Sequence, residues 1–261
     1  MQTLLNVSNL CKNYKRSARF SSTGFRKTLG PLNFTLERGK TLALVGESGA
    51  GKSTLVQIIA GLIKPSSGEI YVKDKPLSTF SQQERCTSIR MIFQDPSSSL
   101  NPKATIGRIL AAPLELNTPL TMEQRRRQIL NTLNLVGLLP DYLDFYPNML
   151  SSIQQHQVAI ARALILKPDI IIADEILASL DISLRFKIVN LLLNIQEKIG
   201  VSYIFVAHNM NLVRHMSDQI VVMEDGMIVE NNSTEKIYNF PQSAVTKQLL
   251  QSHQPHYRKE R

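Results

Sequence analysis

Apolar and polar positions alternate with a period of two near the start of the chain and change to a helical period from Lys52. The runs around Leu4, Asn6 and Val7 and from Thr41 to Val45 predict strands. Between them lies a basic, serine-rich insert, Lys15 to Lys27, read as a surface loop. An apolar helix is predicted over Leu55–Leu62, and strands over Glu69–Val72 and Ile89–Phe93. From about residue 95 to 165 the pattern is helical. Thr121 and Gln124 have capping-box spacing, and Ile129, Leu133 and Val136 recur on one helical face. Prolines at 96, 102, 113, 119, 140 and 147 punctuate this stretch. Strand and helix signals then alternate: a continuous apolar strand at Asp169–Ala173, a helical stripe of Ile188, Leu191, Leu192 and Ile195, and strands at Ser202–Val206 and Gln219–Met223. The tail from Ser233 is predicted helical, with a frayed polar end from His256 to Arg261. Such alternation implies crossover connections, hence an α/β fold with a mostly parallel sheet and a helical insertion.

Composition narrows the classes. The chain has 261 residues, 43% hydrophobic and 20% charged, which excludes disorder as the main state. No run reaches the roughly 18 apolar residues that cross a bilayer, and polar residues interrupt the N-terminus too early for a secretory signal. Cys11 and Cys86 are too few for a disulfide framework, so a reducing, cytoplasmic compartment is expected. The net charge of +9 points to an anionic partner. Its basic residues are scattered, as at Lys15–Arg16, Arg125–Arg127 and Arg258–Lys259, and no row of aromatics interleaves them. No nucleic-acid partner is therefore expected.

The strongest chemical signal is Gly46-Glu47-Ser48-Gly49-Ala50-Gly51-Lys52-Ser53-Thr54. It follows a predicted strand and opens a predicted helix, the setting a phosphate-binding P-loop requires. Its glycines let backbone N–H groups turn inward, and the helix N-terminus adds positive potential. Lys52 is placed to reach the β- and γ-phosphates of ATP, and the Ser53 hydroxyl to ligate Mg²⁺. A second signal is the apolar strand Ile170–Ala173, ending in Asp174 and Glu175. Carboxylates at the C-terminal end of a buried parallel strand sit where such sheets bind ligands. Asp174 is expected to hold Mg²⁺, and Glu175 to polarise an attacking water.

With these two elements the chain resembles the ATP-binding subunit of ABC transporters over about residues 3–250. The resemblance implies a P-loop NTPase fold with an antiparallel N-terminal β part. It also implies one nucleotide-binding domain over 1–250 with a helical sub-domain at about 95–165, followed by a polar tail at 251–261. Gln94 matches the glutamine that senses Mg²⁺ and the γ-phosphate, and His208 matches the switch histidine on the γ-phosphate. Ser179-Leu180-Asp181 matches the D-loop. Tyr14 matches the aromatic that stacks on adenine, with Phe20 and Phe25 as nearby alternatives. The segment Gln94 to Pro102 looks like that of the oligopeptide and dipeptide importer ATPases, and Pro241 to Leu250 resembles their C-terminal motif. Their iron–sulfur cysteine cluster is absent, since no cysteine follows Cys86.

The resemblance implies a transport-coupled ATP hydrolase bound peripherally to the cytoplasmic face of the inner membrane. It implies peptide cargo, antimicrobial peptides among the candidates, and the partners are two transmembrane permease subunits and, indirectly, a solute-binding protein. One departure matters. Where the family has Leu-Ser-Gly-Gly-Gln, this chain has Leu150-Ser151-Ser152-Ile153-Gln154. In the family this signature completes the ATP site of the partner subunit, and its glycines let the backbone approach the γ-phosphate. Ile153 is expected to crowd that approach, whereas Ser151 keeps its hydroxyl. A heterodimer with a second ABC ATPase subunit is expected, with hydrolysis mainly at the Lys52–Glu175 site. The alternative is an ATP-binding regulatory subunit with little hydrolysis.

Overall fold

The computed structural model describes residues 2–14 and 28–252. The basic insert, with Phe20 and Phe25, and the polar end of the tail lie outside the described residues. In chain order the strands are β1 (Thr3–Asn13), β2 (Thr28–Glu37), β3 (Thr41–Gly46), β4 (Ser67–Val72), β5 (Lys75–Pro76), β6 (Ile89–Ile92), β7 (Ile170–Asp174), β8 (Ser202–Val206), β9 (Gln219–Glu224) and β10 (Met227–Ser233). The helices are α1 (Lys52–Ile59), α2 (Gln82–Ser88), α3 (Pro96–Ser99), α4 (Ile106–Asn117), α5 (Met122–Leu135), α6 (Ser152–Leu164), α7 (Ile182–Ile199), α8 (Met210–Met216), α9 (Thr234–Asn239) and α10 (Ala244–Ser252). None is long and apolar enough to cross a membrane.

Six strands form one sheet in the order β10-β9-β3-β8-β7-β6. Every pairing in it is parallel except that of β10 with β9. The strands β3, β7 and β8 are buried at every position, which explains their unbroken apolar runs. Alternate side chains divide between two cores. Ala43, Val45, Ile171, Ala173, Tyr203 and Phe205 face a core shared with α4 to α8. Leu42, Leu44, Ile170, Ile172, Ile204 and Val206 face a second core. There they meet α1 and the antiparallel sheet of order β2-β1-β4-β5. The α/β class with an antiparallel N-terminal part is therefore what forms. Parallel pairing also puts the C-terminal ends of β3, β8, β7 and β6 along one edge.

Between β6 and β7 the chain is helical. Thr121 and Gln124 make the capping box that starts α5, and Ile129 and Leu133 are buried beneath it. The prolines act differently from one another. Pro140 and Pro147 each begin a short 3₁₀ turn, whereas Pro113 lies inside α4 without ending it. Helix α1 stops at Ile59, short of the expected Leu62: the N–H groups of Leu62 and Ile63 turn back to the Gln57 carbonyl. The tail contains the expected helices, but β10 precedes them and was not legible. Its Glu230 is buried among backbone donors from the loop before α10. The carboxylate accepts from Gln242 N, Ser243 N at 3.0 Å and Thr246 Oγ1 at 2.6 Å. Burial alone would raise the Glu230 pKa, yet these hydrogen bonds hold it below the ordinary glutamate value.

Candidate active site

The loop Gly46–Gly51 links the end of β3 to α1, and two of its glycines are required by their surroundings. Gly46 has φ of +148°, and a Cβ there would stand 2.2 Å from the Met223 carbonyl oxygen. Gly51, at φ +101°, caps α1 in the left-handed region. The loop curls around Lys52, which is only 4% exposed. Its Nζ donates to Gly46 O at 2.8 Å and Glu47 O at 2.9 Å, so two of its three donors hold the loop in shape. Burial lowers the Lys52 pKa, while the charges of Glu175 and Asp174 act in the opposite direction.

Asp174 ends β7, two strands across the sheet from β3. Its carboxyl is buried, and Oδ1 has no hydrogen-bond partner among the described residues. Burial, reinforced by Glu175, raises its pKa, against the pull of Lys52 and His208. An orphaned buried carboxylate oxygen beside a phosphate loop is the kind of donor a hard cation takes, so the residues present fit Mg²⁺. The raised pKa has a sign consequence. The fold disfavours the ionised form, so stability falls as pH rises from the ordinary aspartate value through the raised folded one. Asp174→Asn is expected to raise the melting temperature measured in EDTA at neutral pH by about 2–4 °C, the shift that about 1 kcal/mol gives in a chain of this size. Mg²⁺-dependent hydrolysis is expected to fall at least about a hundredfold. A lower melting temperature would show that the carboxylate is not a stored cost.

Glu175 follows directly, with its backbone at φ +49°. Its Oε1 lies 2.6 Å from Nε2 of His208, which follows β8. Ser48, Gly49, Gly51, Lys52, Ser53, Thr54, Glu175 and His208 line one cavity of about 160 Å³. Three strand ends, β3, β7 and β8, thus bring the phosphate loop, the carboxylate and the histidine together. Glu47 and Ala50 belong to the loop without lining the cavity.

Other predicted residues stand apart. Gln94 lies beyond the end of β6, exposed, and does not line the cavity. Tyr14, at the end of β1, is exposed and sits under Lys12 Nζ at 5.6 Å; it does not line the cavity either. At the start of α6, Ser151 donates from N and Oγ to Gln154 Oε1, both at 2.9 Å, and Gln154 Nε2 donates to the Tyr142 hydroxyl. Ser151 and Ser152 are exposed. Ile153 is half-buried and packs against the core. Asp181 caps α7 by accepting from Leu184 N, and Ser179 is exposed beside it. Sequence reasoning missed Arg185, whose Nε donates to the Leu180 carbonyl and fixes the turn before Asp181. It also missed Tyr142; no local pattern marks either.

Residues 29–178 match the family described as ABC transporter. The chain belongs to that family. It is 48% identical over 253 residues to the putrescine export system ATP-binding protein SapF of Escherichia coli K12, covering 97% of this chain and 94% of that one. It is also 48% identical over 257 residues to the peptide transport system ATP-binding protein SapF of Salmonella typhimurium, with the same shares. Among solved structures, the ATP-binding cassette MJ0796, a dimer in a post-hydrolysis state bound to ADP and Pi, superposes with a TM-score of 0.75 at 30% identity. That match covers 88% of this chain and 99% of the cassette. The chain is therefore an ABC-type ATPase, the ATP-binding component of a transport system.

Proposed function

We propose that this chain powers peptide transport as the peripheral ATPase of a membrane complex, on the cytoplasmic face of the inner membrane, with hydrolysis at the Lys52–Glu175 site. The observation that carries the reading is the single cavity joining the phosphate loop, Glu175 and His208. ATP phosphates lie along the loop from Gly46 to Thr54, against the α1 N-terminus. The third donor of Lys52 meets the β- and γ-phosphates. Ser53 and Asp174, with Gln94 from the neighbouring strand end, would hold Mg²⁺, which when bound neutralises charge on those phosphates. His208 fixes one oxygen of Glu175 through the 2.6 Å contact and leaves the other to accept a hydrogen from the attacking water. As charge develops on the γ-phosphate, Lys52 and His208 stabilise it. Tyr14 is the aromatic proposed for adenine.

The partners proposed are two transmembrane permease subunits, a second ABC ATPase with an intact signature, and indirectly a solute-binding protein. Support for a heterodimer is local. Ser152 stands exposed at the first turn of α6 where the family has glycine, and it adds side-chain bulk where backbone N–H groups should meet the partner's γ-phosphate. The same feature favours the second reading, an ATP-binding regulatory subunit with little hydrolysis. Detergent extraction with the tagged chain, followed by mass spectrometry, is expected to recover two integral membrane proteins and a second cassette carrying two signature glycines. A chain that dimerises with itself on ATP and turns over as fast as symmetric cassettes would overturn the heterodimer. Single-turnover hydrolysis in the recovered complex separates the ATPase from the regulator. The relatives' names give peptide transport and putrescine export as cargo. Vesicles loaded with either, and assayed in both directions, decide cargo and direction.

A further inference from the structure

Helix α6 carries one buried ring that the proposed reaction does not use. His156 lies one turn into α6 and is 4% exposed. Both ring nitrogens face carbonyl oxygens: Nδ1 is 2.8 Å from Ser152 O, and Nε2 is 2.9 Å from Ile176 O. Carbonyls only accept, so the ring binds whichever oxygen its N–H faces, and both when it carries two protons. Ser152 O belongs to the signature turn. Ile176 O belongs to the residue after Glu175.

The Glu175 backbone needs such support. At φ +49° it occupies the left-handed region, which strains a non-glycine residue and persists only where neighbours hold it. Glu175 N donates to Val206 O at 3.1 Å, and Ala178 N donates to Glu175 O at 3.0 Å. The His156 contact adds a tether from outside the sheet. We infer that His156 is a positioning residue that ties the first turn of α6 to the carbonyl of Ile176, the residue after Glu175, so that displacement of the Ser151–Gln154 turn reaches the carboxylate. The inference rests on the proposed roles of Glu175 and of the signature. It gives one chain a mechanical link between its own ATP site and the site it completes on its partner.

The test uses the full chain purified with its membrane subunits. Methionine and glutamine are close in shape and differ in their donors. His156→Met is expected to lower kcat about tenfold, with KM and the affinity for trinitrophenyl-ATP within about twofold of the parent. His156→Gln is expected to recover at least about half of the lost kcat. Parental kcat in His156→Met overturns the inference. So does a loss of kcat that falls in step with nucleotide affinity and is not recovered by glutamine, which marks a merely structural residue. If the methionine variant does not fold, His156→Phe keeps a ring without nitrogens and faces the same two outcomes. Glu175→Gln in the same assay separates the failures. If it retains turnover, the reading of Glu175 falls; if it abolishes turnover while His156→Met is silent, only the His156 tether falls.

Discussion

Glu175→Gln is expected to lower steady-state hydrolysis about 10²–10⁴-fold while ATP still binds. The amide keeps the shape of the carboxylate, and its oxygen can still accept from His208 Nε2, so the 2.6 Å contact survives. What disappears is the basic oxygen that accepts a hydrogen from water. Binding is protected for a further reason. Glu175 is one cause of the raised Asp174 pKa, after burial. Removing that like charge favours ionised Asp174, the form that takes a cation, so affinity for Mg²⁺-ATP is expected to hold or rise a few-fold. Phosphate release and trinitrophenyl-ATP titration measure the two effects. Turnover within about tenfold of the parent would remove Glu175 from the chemistry.

Lys52→Met acts on binding instead. The buried Nζ closes the loop onto Gly46 O and Glu47 O, so its loss orphans two carbonyls and removes the cation nearest the phosphates. A charge-assisted contact of this kind, with the loop it shapes, is expected to be worth about 3–4 kcal/mol, or about 10²–10³-fold in ATP affinity. Lys52→Arg is not expected to rescue it, because a longer, planar guanidinium does not reproduce the two contacts that the compact ammonium makes to Gly46 O and Glu47 O. Equilibrium titration checks both variants. Affinity within about fivefold of the parent in Lys52→Met would show that backbone N–H groups alone hold the phosphates.

What could be read from the sequence was local. The phosphate loop announces itself because glycine, lysine and serine sit at fixed spacing between a strand and a helix. Asp174 and Glu175 stand out because an unbroken apolar strand ends in two carboxylates. The capping box of α5 depends on two residues three apart. What could not be read was tertiary. β10 alternates exposed positions with a single buried glutamate, and nothing in Met227–Ser233 says that its acceptors will be claimed by the loop before α10. Pro113 suggests a break, yet α4 runs through it because its buried residues Ile109, Leu110 and Leu114 are held in the core. Gln94 and Tyr14 have the right order along the chain, but order does not bring a side chain to a cavity. The packing of Ile153 against the core and the bridge made by His156 depend on how α6 lies against the sheet and the turn after β7, which no spacing encodes.

The sheet order sets a timetable for synthesis. The strand that carries the phosphate loop has β9 on one side and β8 on the other, so Leu42 pairs with Ile204 and Gln219. Both neighbours leave the ribosome after the whole helical stretch has emerged. Until then β3 is an apolar strand with two open edges, and such long-range pairing is slow to form and prone to association. The nucleotide site, whose residues begin near the N-terminus, is thus among the last parts of the chain to become whole. A nascent chain stalled before β8 would carry every residue of the phosphate loop and neither of the strands that pair with β3.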